Sequence, residues 1–206
     1  APAGEDVRRY LRAFDFQPGG KEKDQALLSV AFGSKVGPEI ALAAVQRVAA
    51  SELGADQRSR QRLLELLSSA PPGAVSLRLV RELKLTEAGP WLLRIAQQEH
   101  NDRRVDAVAA LLDLGQKDLI TAALEGDDPE LVRATGRALA QSQRPDAIDL
   151  LWPFLEDRNR DDRSRKETAR ELAGSKSGAG RLLERIERDE LKREIRQAVA
   201  RVLLTH

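Results

Sequence analysis

The 206-residue chain contains no cysteine and no methionine. Without cysteine it can form no disulfide, Cys–zinc site, iron–sulfur cluster or covalent c-type haem attachment. Its two histidines are too few for a His-rich metal site. Aromatic residues make up 3%, which leaves no platform for stacking bases. Neither sign of charge prevails: 34 basic residues face 33 acidic ones, for a net charge of +1. That balance gives no general pull towards nucleic acid or anionic lipid. Most of the basic residues are Arg, a bias that a GC-rich genome produces as readily as a binding surface does. No stretch reaches the roughly 18 apolar residues of a membrane span, and no signal peptide is recognised, so no membrane insertion is expected. The chain opens on Ala1-Pro2-Ala3 and ends at Leu204-Thr205-His206, on a helical pattern, as expected of a fragment of a larger protein.

What is present is helix composition. Hydrophobic residues make up 41% and charged residues 33%, with Ala and Leu dominant. No run shows clean period-two alternation, so no strand is expected. Short amphipathic segments follow one another instead, punctuated by Gly and Pro. Val7, Tyr10, Leu11 and Phe14 mark a first helix from Glu5 to about Phe16, ended by Gln17-Pro18-Gly19-Gly20. A second runs from Lys21 to Phe32. Pro38 opens a third, with Ile40, Ala44, Val45 and Val48 on one face and Gly54 closing it. Asp56 is a candidate N-cap for a helix holding Leu63, Leu64, Leu66 and Leu67. Leu77, Val80, Leu83 and Leu85 mark the next, and Gly89-Pro90 opens another with Trp91, Leu92 and Ile95.

From Asn101 onward the punctuation repeats. A shift of 27 residues superposes Val105, Val108 and Leu112 on Val132, Thr135 and Leu139. Ala169 and Leu172 lie 33 beyond Gly136 and Leu139, and Ala200 and Leu203 a further 31 on. These helices alternate with a second set over 116–125, 145–156 and 178–189. Each pair has too small an apolar face to fold alone and buries a continuous core when stacked. The expected fold is all-α, an α-solenoid of about six stacked helix pairs after a leading helix, about 13 helices in all. It is a single helical-repeat domain over 1–206, less regular over 1–100 and repeat-like over 101–206. A compact irregular helical domain is the alternative.

The segment 147–157, Ala-Ile-Asp-Leu-Leu-Trp-Pro-Phe-Leu-Glu-Asp, resembles the first helix of a HEAT repeat, with Pro153 inside the helix and Asp157 in the turn. Leu131 to Leu139 resembles the second helix of that repeat, where Val-Arg and small residues precede Ala-Leu. Asp6 to Phe16, and in style Ala169 to Gly180 with Arg181-Leu182-Leu183, resemble the helical middle region of large bacterial proteins. Those combine a membrane-bound-dehydrogenase-type β-propeller with a C-terminal c-type haem domain. The resemblance implies an extracytoplasmic, periplasmic setting and a c-type haem in a following domain. The chain itself lacks the Cys-x-x-Cys-His signature, so no cofactor is expected here.

Candidate sites rest on side-chain chemistry. Arg133 and Arg137 lie four apart and project from one helix face. With Arg103, Arg104, Arg165 and Arg170 they form a candidate anion- or partner-binding strip. The other reading has Arg133 bonding turn carbonyls or the Asp127 and Asp157 carboxylates of adjacent repeats. The run from Asp157 to Lys166 reads as a solvated turn with local ion pairs or as a mobile binding loop. Trp91 and Trp152 are expected in the core. His100 is expected near a helix C-terminus, where the dipole favours a cation, and has only Glu99, Asp102 and Asp106 as a metal constellation. Asp128 before Pro129 reads as a helix start. Gly174, Gly178 and Gly180 around Ser175 and Ser177 read as a loop with no phosphate-binding context.

No nucleophile–base arrangement follows from any spacing, so no enzyme is expected. The leading expectation is a non-catalytic scaffold that contacts another protein or neighbouring domains of the same polypeptide. The alternative is a HEAT-like nucleic-acid-binding protein of the DNA-repair type, which the neutral charge disfavours.

Overall fold

A computed structural model describes residues 4–33, 36–53 and 57–205. The protein is all-helical, with no strand among the described residues. Its helices fall into two compact units, Ala1–Ala88 and Gly89–His206.

In the first unit, α1 (Gly4–Ala13) runs into a 3-10 turn over Phe14–Phe16. α2 (Lys21–Ala31), α3 (Pro38–Val45), α4 (Ala50–Leu53), α5 (Gln57–Ser69) and α6 (Ala74–Glu82) follow, and a 3-10 turn over Thr86–Ala88 ends the unit. α3 is central: α1, α2 and α5 all pack on it. Leu11, Leu27, Val45, Leu63, Leu67 and Val80 are buried, each contributing roughly 1.5–3 kcal/mol. The segment opened by Pro38 is two helices rather than the expected one, because the chain turns after Val45. Val48 is buried from that turn. Gly54 and Asp56, expected at the next boundary, lie outside the described residues. α6 stops at Glu82, short of Leu83 and Leu85. Lys84 takes a left-handed conformation (φ 48°) and the Leu85 N–H bonds the Val80 carbonyl at 2.9 Å. This tight stop carries Leu85 into the core from outside the helix.

The second unit holds α7 (Gly89–Ala96), α8 (Arg104–Asp113), α9 (Lys117–Leu124), α10 (Pro129–Ser142), α11 (Pro145–Glu156), α12 (Asp162–Ala173), α13 (Lys176–Glu187) and α14 (Arg193–Leu203). α8 packs on α7 and on α10, α10 on α12, and α12 on α14. α9 lies against α10 and α11, α11 against α10 and α12, and α13 against α12. The offsets read from the sequence carry one buried position through all four helices of the first set: Val108, Thr135, Thr168 and Val199. At the last helix the match weakens, since Ala200 is exposed and Leu203 half-buried. Fourteen α-helices are described, one more than the expected number, and α4 was not foreseen.

Two glycines set how closely these helices approach. A Cβ on Gly136 would stand 2.5 Å from Thr168 Oγ1, so α10 and α12 meet where neither can grow. A Cβ on Gly178 would overlap the Leu172 carbonyl oxygen and side chain. Gly178 lies inside the first turn of α13 and not in a loop. The expected Gly174–Gly180 loop is short because Ser175 caps α13, its side chain accepting from the Gly178 N–H at 3.0 Å. Asp128 likewise caps α10, accepting from the Glu130 and Leu131 N–H groups, with Pro129 in the first turn. Asp161 caps α12 through the Ser164 N–H at 2.6 Å. Hydrogen bonds from Ser164 hold the Asp161 carboxyl below its ordinary pKa. Trp91 and Trp152 are both buried, and the Arg185 guanidinium stands 4.4 Å over the Trp152 ring.

Candidate functional site

Two features of the second unit bring polar side chains together: a ladder over α10 and α12, and a groove between α9 and α11. The ladder is built from the candidate arginines. Arg137 on α10 donates to Glu99 Oε1 at 2.9 Å and stands 3.7 Å from Glu167 of α12. Arg133, one turn earlier, pairs with Glu130 on its own helix and with Glu167 at 3.4 Å. Arg163 adds a third guanidinium to Glu167 at 2.8 Å. The Glu167 carboxyl is accordingly held below the usual glutamate range. The Arg163 hydrogen bond leads, the charges of Arg163, Arg133 and Arg137 add to it, and burial opposes them. Among the described residues Arg133 has no ion pair with Asp127 or Asp157, the carboxylates of the other reading. Glu167 stands across the α10–α12 step, and Asp157 is held by Arg160 at 3.2 Å.

The remaining candidates are also engaged. Arg104 donates to the Glu99 carbonyl at 2.9 Å, and Arg103 pairs with Asp106. Arg165 is 4% exposed; its Nη1 donates to the Leu155 carbonyl at 3.1 Å and its Nη2 to Asp162, while its Nε has no partner. Such a group ties the end of α11 to α12 and is closed to an incoming ligand. Arg170 stays exposed and donates to the Ala198 carbonyl of α14 at 3.3 Å. Further links run parallel: Gln97 to Thr135 at 3.1 Å, and Gln141 to Glu171. Arg104, Arg133 and Arg137 therefore converge on Glu99 and Glu167, with Arg165 and Arg170 set apart from them. Glu167 was missed from sequence, and Glu99 was read only beside His100 as a metal constellation, not as an arginine partner. Only the Arg163–Glu167 spacing of four residues signalled one of them.

The second feature is a cavity of 160 Å³ between α9 and α11. Its apolar wall is Leu124, Leu150, Pro153 and Phe154; its polar rim is Glu125, Asp149, Asp157 and Arg160. Pro153 sits inside α11 and offers no N–H to the Asp149 carbonyl one turn before it. Arg160 bridges the rim, donating to the Glu125 carbonyl at 2.7 Å and to Asp157. Asp149 pairs with Arg181 at 2.8 Å, and the Glu125 carboxylate has no ion-pair partner among the described residues. Pro153 was legible as a helix-interior proline; the groove beside it was not, because it forms across two helices.

His100 is exposed and lies in the turn that follows α7. Among the described residues no group of His, Asp and Glu is arranged to hold a metal ion. The segment from Asp157 is a turn only to Asp161. From Asp162 it is α12, with Lys166 paired to Asp162 at 2.6 Å. No described helix is long and apolar enough to cross a membrane. No known family, curated protein or solved structure is significantly similar to the chain.

Proposed function

We propose that the protein is a non-catalytic helical-repeat scaffold, an α-solenoid whose stacked helix pairs mediate protein–protein or inter-domain contact. The observation that carries this reading is the succession α8, α10, α12, α14, in which side-chain bonds reinforce the α10–α12 and α12–α14 steps. Nearest-neighbour packing of that kind is how repeat proteins build an extended rigid surface. The candidate arginines are spent within the stack, so their part is to fix helix spacing, and partners meet the surface elsewhere. This also counts against the nucleic-acid alternative, which needs guanidinium groups free to face phosphate. The resemblance to the helical region of bacterial haem-bearing proteins makes a spacer or docking module of such a protein the preferred setting, outside the cytoplasm.

Site-specific photo-cross-linking of the full chain tests the reading. A photoreactive residue is placed in turn at exposed positions such as Leu131, Glu125 and Leu183, in cells that make the protein. A scaffold gives discrete adducts confined to one face, with the same polypeptide each time. Adducts at no position, or adducts with nucleic acid, overturn it.

A further inference from the structure

The groove between α9 and α11 deepens the scaffold reading, on which it rests, by naming what one partner must present. We propose that this groove docks an arginine- or lysine-bearing segment of a partner polypeptide, the aliphatic stem lying on Leu150, Pro153 and Phe154 and the cationic head meeting Glu125 and Asp149. Three properties of the groove argue for that occupant.

The first is size. At 160 Å³ the cavity falls below the range of about 300–1,000 Å³ typical of small-molecule and cofactor sites. It matches one long side chain better than a cofactor. The second is charge. Three carboxylates and one guanidinium line it, and that guanidinium is already engaged by Asp157 and the Glu125 carbonyl. Asp149 is shared with Arg181, and the Glu125 carboxylate has no ion-pair partner among the described residues, so an incoming cation meets one uncompensated negative charge at the rim. The third is the backbone. α9 ends at Leu124 and α11 at Glu156, so the negative ends of two helix dipoles open onto the same groove. Arg160 demonstrates the chemistry from within the chain: its guanidinium already sits on a carbonyl at the end of α9. An acidic segment would meet the same rim with repulsion, and a wholly apolar one would leave the rim carboxylates desolvated.

The test is fluorescence anisotropy on the full chain at low salt. The probes are two labelled hexapeptides, one alternating leucine with arginine and one alternating leucine with glutamate. The arginine peptide should bind at least about tenfold more tightly. The double variant Glu125→Gln with Asp149→Asn should lose about tenfold of that affinity while its thermal unfolding stays close to that of the parent. The single variant Glu125→Gln touches no internal ion pair and should show a smaller loss in the same direction. Equal binding of the two peptides, or unchanged affinity in the double variant, overturns the proposal. So does competition by arginine methyl ester at the same concentration as the peptide, which would make this a small-cation site. If the peptides fail but cross-linking still yields adducts on another face, only the groove assignment falls. If both fail, the scaffold reading falls with it.

Discussion

The two compact units solve the same problem, packing short helices, by different means. In the second, three helices begin on a side-chain cap, at Asp128, Asp161 and Ser175, and two glycines let neighbouring helices close up. Ionic and amide groups then bridge the helices. In the first, the helices with described N-caps start on glycine, at Gly20, Gly37 and Gly73, with no side chain accepting an orphan N–H. Among its described residues the bridging links are of mixed kinds: Arg47 on Asp15, Arg60 on Glu87, Asp24 accepting the Ala49 N–H, and the Arg62 guanidinium 5.7 Å over the Phe32 ring. Leucine burial carries that unit. The contrast teaches that register in the second unit is specified at helix ends and contacts, whereas in the first it rests on apolar fill. Two exposed aromatics, Tyr10 at 68% and Phe16 at 91%, sharpen the difference.

The largest effect should come from closing a glycine contact. Gly178→Ala places a methyl group against backbone, which cannot rotate away, so α13 must move off α12. A loss of about 3 kcal/mol is expected in denaturant unfolding, at the upper end for overpacking. Gly180→Ala is the control. It faces open space, and the better helix former should gain about 0.5–1 kcal/mol. Equal effects at the two positions would remove close approach as the organising feature of the second unit.

Gly136→Ala should cost less, about 1–2 kcal/mol, because it meets a side chain. Here a double-mutant cycle is decisive. With Thr168→Ala the clash is gone, and the Thr168 hydroxyl, which is buried without a partner, is removed as well. The pair Gly136→Ala with Thr168→Ala should then be more stable than Thr168→Ala alone. Simple additivity of the two changes would mean that the residues do not touch in solution.

A smaller effect is expected in the ladder. Glu167→Gln should destabilise by about 0.5–1 kcal/mol, since such pairs are partly solvated. The pH dependence carries the sign. The Glu167 pKa is lowered by folding, so its contribution is fully present above the unfolded-state value of about 4.3 and is lost as pH falls through the lower folded value. The parent and the variant should differ by a constant amount from neutral pH down to about 5 and converge in acid. A difference that survives undiminished below the carboxylate range would show that Glu167 acts by shape and not by charge.

Legibility in the sequence followed the same division. From residue 101 onward, Pro129, Pro145 and the Asp128 cap announced helix starts, and the repeat offsets lead from Val108 and Thr135 to the buried Thr168 and Val199, although the positions read from them were Ala169, Leu172, Ala200 and Leu203. The Asp161 and Ser175 caps went unread, the second because its segment reads as a loop. Over 1–100, the Val45–Ala50 break and the stop at Lys84 went unread, because a lysine in the left-handed conformation gives no glycine signal. The arginines of the ladder were legible as residues. Their partners were not, apart from the Arg163–Glu167 spacing within α12, since packing brings Glu99 to Arg137 and Glu167 to Arg133 and Arg137 from far along the sequence. The α9–α11 groove was hidden for the same reason.

The smallest expected effect tests whether the first unit simply lacks what the second has. Gly37 and Gly73 both hold extended N-cap conformations open to any residue, with nothing nearer than 4.0 Å to an added Cβ. Gly37→Asp and Gly73→Asp should each supply an acceptor for an orphan N–H and a negative charge at the helix N-terminus. Replacing a glycine cap gains only a few tenths of a kcal/mol. Global unfolding will barely register that, so hydrogen exchange of the α3 and α6 amides is the suitable measurement. Slower exchange confined to the capped helix would place the weakness of the first unit at its helix starts. No change in exchange would mean that apolar fill already sets the opening of those helices, and that a cap governs stability only where close contacts first fix the register.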